Sequence, residues 1–186
     1  MFPIRDHNPS GRTPYVTYML MAANIGVFLS YYGIMNNAAA LNSFWFNWAL
    51  IPVRLSEGQG FSGLLTSMFL HGGWMHLAGN MLFLWVFGLV IEGKLGWQRF
   101  LACYLTIGLV QSAGEQTLQL ALGGTGGSLG ASSAIYGLLA MAAIWAPKND
   151  ITFFHSRLFS RAFLGHLGHL HTAKFLAVFA AENNPD

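Results

Sequence analysis

The run "GGWMHLAGNMLFLWVFGLVIEG", residues 72 to 93, restricts this chain more than any other stretch. Its length is that needed to cross the roughly 30 Å hydrocarbon core of a bilayer. Apart from His76 its single ionisable side chain is Glu92, next to the end. Three further apolar runs cover residues 15–33, 99–122 and 130–146, the last ending at "PKND", where Pro147 and three polar residues stop a helix. The expectation is an all-α polytopic membrane protein with four clear transmembrane helices. Composition agrees: of 186 residues 54% are hydrophobic and 9% charged, against about 25% charged in a soluble domain.

The organisation read from these runs is a cytoplasmic tail over residues 1–14, a membrane domain over 15–150 and an atypical C-terminal segment over 151–186. More apolar runs follow the first, so it is read as an uncleaved span and not as a signal peptide. Residues 34–65, with Trp, Phe, Pro and the polar "SEGQG", suit a loop at the membrane interface, where Trp collects. With the tail inside, Arg5, Arg12, Lys94, Arg99 and Lys148 lie on the cytoplasmic side and Arg54 alone outside, as the positive-inside rule requires. The compact N-terminus suggests a bacterial inner membrane. The net charge of +2 contains no basic block, so the lipid bilayer is an expected partner and nucleic acid is not. The single cysteine, Cys103, can form no internal disulfide.

Chemistry gathers at the outer ends of these spans. The loop "GGTGGSLGASSAIYGLLA", residues 123 to 140, runs into the fourth span, which at 17 residues is short enough to start below the surface. Irregular backbone is tolerated at that depth only when buried in protein or lining a wet cavity. Ser132 would then begin a helix whose unpaired N–H groups and positive dipole end favour a developing oxyanion. A plain helix cap is the alternative. In the second span His76 and Asn80 are four apart and share a face, with His71 just upstream. Such side chains can donate to an oxyanion, or simply bond between helices. Zinc is disfavoured by the absence of H-E-x-x-H and of a nearby acidic ligand.

The stretches "HGGWMHLAGNMLFLWVFG", "IEGKLGWQRFLACYL" and "GASSAIYGLLA", with "RDHNP" and "TPYVTY" near the start, resemble the rhomboid family of intramembrane serine proteases. The resemblance implies a rhomboid-like helix bundle and an endopeptidase that cuts transmembrane protein substrates, with no metal or organic cofactor. By the same resemblance Ser132, in Gly130-Ala131-Ser132-Ser133, is the nucleophile. His76 and Asn80 support the oxyanion, His71 is the upstream loop histidine, Tyr136 the aromatic residue that packs on the catalytic histidine, and Glu92 the acid that ties spans together. Ser133 stands where the family has glycine, a change tolerated if the backbone there needs no positive φ.

The larger departure is at the end. The family has at least six spans, with the catalytic histidine in the last, whereas this chain offers four and a possible fifth. "GHLGHLHTA" matches the family's histidine motif in part, through His166 and Gly168. His166 is 34 residues beyond Ser132, and an antiparallel hairpin about the "PKND" turn would bring the two to one depth. A Ser132–His166 dyad is the first expectation. The alternatives are a tail altered after about residue 154 that lacks the base, leaving a truncated fragment, and an inactive relative that binds clients without cutting them.

Overall fold

The structure, a computed structural model, describes residues 2–6, 13–124, 127–145 and 151–154. Its helices are α1 (Tyr15–Tyr31), α2 (Ala38–Trp48), α3 (Pro52–Ser56), α4 (Gly63–Thr66), α5 (Trp74–Leu95), α6 (Trp97–Ala121) and α7 (Ser132–Trp145). A single tight turn, Ser67–Phe69, follows α4. Helices thus occupy all four runs expected to be helical, with ends displaced by a few residues at most. The possible fifth span lies outside the described residues.

Among the described residues α5 is the helix both long and apolar enough to cross a membrane on length and composition. The helices α1 and α7 have 17 and 14 residues, and α6, at 25, is more polar. Two features differ from the sequence-based expectation. The segment expected as an interfacial loop contains α2, whose first turn is capped by the Asn37 side chain accepting the Ala40 N–H at 3.1 Å, and α3, which Pro52 starts. The second difference is a pair of strands, β1 (Phe2–Asp6) and β2 (Ile151–Phe154), joined in a two-stranded sheet where only helices and a tail were expected. The sequence "ITFF" is β-branched and aromatic, which suits a strand.

The centre of the helical body is α5, packed against α1, α6 and α7. Its Leu77, Met81, Leu84, Phe87 and Ile91 are buried. The matching face of α6 repeats every four residues, through Phe100, Tyr104, Gly108, Ser112 and Gln116. From α7 come Ala134, Ile135, Leu138 and Ala142. The outer faces are apolar too: Tyr18, Met19 and Leu29 of α1 and Val110 and Leu118 of α6 are exposed. Water would penalise such a surface, whereas hydrocarbon accepts it.

One buried charge joins α1 to α5. No side chain of α1 caps its own first turn. Glu92, 3% exposed, fills that role from α5, accepting the Val16 N–H at 2.9 Å and the Thr17 N–H and hydroxyl at 2.7 Å each. The carboxylate gains three donors, and the helix start loses two unpaired amides.

Candidate active site

A short backbone bridge sets the position of the glycine-rich loop. Leu50 and Ser128 pair antiparallel, the Ser128 N–H donating to the Leu50 carbonyl at 2.9 Å and the Leu50 N–H returning at 3.3 Å. The Ser128 hydroxyl also donates to a carboxylate oxygen of Glu115 on α6 at 3.1 Å. Two residues on, the Gly130 N–H donates to the Ser67 carbonyl at 2.8 Å. The loop is therefore tied to the α2–α3 connection, to α6 and to the turn before α5 within three residues of its own.

Gly130 has φ of +120°, a conformation that side chains rarely adopt. A Cβ there would stand 2.9 Å from both Cε1 and Nε2 of His76 and 3.7 Å from Nδ2 of Asn80. Glycine is thus required by backbone and by space, and the side chains that need the space are the two singled out in α5. Just beyond, the Ala131 carbonyl accepts the Ile135 N–H at 3.1 Å, which opens α7. The amides of Ser132, Ser133 and Ala134 precede that bond and have no carbonyl of the helix to pair with. Ser132, half-buried, is the first residue of α7.

Asn80 is 7% exposed, and its Nδ2 is buried without a hydrogen-bond partner among the described residues. Leaving such a donor unpaired costs about 1–3 kcal/mol, which suits a group kept for an incoming acceptor. For His76 the tautomer follows from geometry. The Gly72 N–H donates to His76 Nδ1 at 3.3 Å, and since that nitrogen must accept, a neutral ring carries its proton on Nε2. That is the nitrogen beside Gly130.

His71, fully buried, lies with its ring 5.0 Å from that of His76. Burial, followed by the proximity of His76, lowers its pKa from 6.5 to about 3, against a small opposing effect of the Phe69 carbonyl. His71 is thus neutral at physiological pH. The unfolded chain takes up this proton near pH 6.5 and the folded chain near 3, so stability falls as pH drops through that window. Thermal unfolding in detergent should show a His71→Asn variant losing less stability than wild type between pH 7 and 4, by on the order of 3 kcal/mol. Parallel pH profiles for the two proteins would refute it.

The structure thus brings His76 and Asn80 together at Gly130, two residues before Ser132, with the His71 ring against that of His76. Tyr136, one turn along α7 from Ser132, is 39% exposed. His166 lies outside the described residues. Ser133 belongs to α7, and no described non-glycine residue has positive φ, so the backbone there makes no demand for glycine. Glu115, Ser67 and Tyr31, whose hydroxyl bonds to the His71 backbone, were not expected from sequence. They act from other elements at no fixed spacing from the motifs, and so left no local signal.

Comparisons with known proteins bear on the same residues. The rhomboid domain model matches residues 58–179 and so takes in α5, α6, α7 and the stretch holding His166. The presenilin-associated rhomboid-like protein, mitochondrial, of Bos taurus is 34% identical over 99 residues, 53% of this chain and 26% of that one. Its Rattus norvegicus counterpart is 37% identical over 90 residues, 48% of this chain and 24% of the relative. The rhomboid protease GluP of Bacillus subtilis is 33% identical over 138 residues, 73% of this chain and 25% of that protein. This chain spans about a quarter of the length of the curated relatives it matches. With the family model covering most of the sequence, and the loop, helix start and paired polar side chains in its matched region, the chain belongs to the rhomboid family.

Proposed function

We propose that this protein is an intramembrane serine endopeptidase that cleaves transmembrane or membrane-proximal peptide bonds of other membrane proteins. One observation carries the reading: His76 and Asn80 converge on Gly130 beside the first turn of α7, which starts at Ser132 and whose amides have no carbonyl of the helix to pair with. In the proposed mechanism Ser132 Oγ attacks the scissile carbonyl while His166 takes its proton, later giving it to the leaving amine. The Nε2–H of His76, the Asn80 amide and the Ser132 N–H hold the oxyanion. The family match that includes His166 supports giving it the role of base. In this reading a substrate side chain enters a cleft of about 390 Å³ lined by Asn42, Trp45, Phe46 and Ile51 with Gly127 and Leu129 of the glycine-rich loop.

The reading includes a bilayer around α1, α5, α6 and α7, all four spanning, with the N-terminus on the cytoplasmic side. The apolar outer faces of α1 and α6 support it. The relatives come from mitochondria and from a bacterium, so the proposal concerns the bilayer and its two sides, whichever membrane it is. Substrate helices must expose backbone to be cut, and segments loosened by Gly or Pro are the expected targets.

The test is labelling of the purified chain in detergent with a fluorophosphonate probe, for wild type, Ser132→Ala, His166→Ala and His169→Ala. Labelling of wild type and His169→Ala, with loss of at least about 10³-fold in the other two, is expected. A folded wild type that stays unlabelled would instead favour an inactive, client-binding relative. Labelling that survives Ser132→Ala would place the nucleophile elsewhere.

A further inference from the structure

Tyr31 is the last residue of α1 and is 2% exposed. Its ring is fixed by Phe28, edge-on with centroids 5.6 Å apart, and by Phe44 of α2 at 4.8 Å. From there the hydroxyl donates to the His71 carbonyl and accepts the His71 N–H, both at 2.7 Å. The His71 carbonyl and the Gly72 N–H are the two ends of one planar peptide group. That N–H is the donor to His76 Nδ1. A donor on a carbonyl oxygen polarises the amide and strengthens the bond given by its N–H. The pair of bonds from Tyr31 also keeps the peptide plane from turning.

We infer that Tyr31 is a positioning residue for His76: through the His71–Gly72 peptide, its hydroxyl holds the imidazole with the proton on Nε2 and that nitrogen beside Gly130. The consequence for turnover rests on the protease reading above, whereas the effect on the tautomer does not. A tyrosine that only braced the loop would leave the ring's proton where it is. Forty-five residues separate Tyr31 from His76, and no motif links them.

The experiment uses the full chain in detergent micelles with ¹⁵N-labelled histidine, the His76 signals being identified by their loss in His76→Asn. Wild type is expected to show a pyridine-type Nδ1 and a protonated Nε2. In Tyr31→Phe, which keeps the ring, the proton should shift partly to Nδ1. Fluorophosphonate labelling at Ser132 should slow about 3- to 10-fold, short of the about 10²–10³ expected for removing an oxyanion donor outright. Tyr32→Phe, a hydroxyl loss on the half-exposed neighbouring residue, should change neither. A folded Tyr31→Phe protein with wild-type His76 nitrogen shifts overturns the inference. If Tyr31→Phe does not fold, 3,5-difluorotyrosine at position 31 keeps the ring and makes the hydroxyl a stronger donor. A displaced His76 Nδ1 resonance then supports the inference and an unmoved one overturns it. A tautomer that responds in a wild-type background that never labels sinks the protease reading and leaves the positioning role standing.

Discussion

Gly130→Ala should slow reaction at Ser132 by about 10³-fold while leaving the helical body assembled. Two independent effects act at this position. At φ of +120° an alanine is strained by about 1–3 kcal/mol. Its Cβ would also stand 2.9 Å from the His76 imidazole, so the ring must give way or the loop must move. The loop is held at Gly130 itself by the Ser67 carbonyl and two residues upstream by the Leu50–Ser128 bridge, so the imidazole is what yields. Turning one oxyanion donor aside costs about 10²- to 10³-fold in rate, and the backbone strain at Gly130 should bring the loss to the upper end. The measurement is the fluorophosphonate labelling rate beside the unfolding temperature, with Gly114→Ala, where a Cβ meets nothing within 4 Å, as comparison. Labelling of Gly130→Ala at the wild-type rate would mean that His76 and Gly130 are not neighbours.

Glu92→Ala should be the most destabilising single change among the polar side chains of α5. It removes one acceptor group and orphans three donors, the Val16 N–H, the Thr17 N–H and the Thr17 hydroxyl. Each buried unpaired donor costs about 1–3 kcal/mol, and the adjacent cleft beside Thr13, Tyr15 and Trp97 gives water some access. A loss of about 3–5 kcal/mol is expected, or about 10 °C for a chain of this length. Glu92→Gln should recover about half, because its amide oxygen can take the two Thr17 donors while its NH₂ faces the Val16 N–H. Thr17→Val should cost about 1 kcal/mol. Unfolding monitored by circular dichroism in detergent orders the three variants, and an alanine variant within about 1 kcal/mol of wild type would show that α1 does not depend on Glu92.

The parts of this architecture that could be read from sequence are those written in local periodicity. The apolar run ending at Glu92 became α5, and the four-residue spacing of His76 and Asn80 put both on the face that meets Gly130. Helix α2 escaped notice because its aromatic residues read as interfacial, although Asn37 followed by three alanines is a capped helix start. The tethers of the glycine-rich loop were illegible for another reason. Ser67 reaches Gly130 with a backbone carbonyl, which carries no residue identity, and Glu115 reaches Ser128 from a different helix. Tyr31 contacts a residue 40 positions away, a distance at which sequence pattern has no period to offer.

The pairing of Leu50 with Ser128 has a mechanical consequence. Leu50 is fully buried and lies two residues beyond the end of α2, while Ser128 lies two residues before Gly130. The end of α2 and the start of α7 are therefore joined through one short backbone bridge. In the protease reading, a substrate helix that leans on α2 would press through this bridge on the backbone that leads to Ser132.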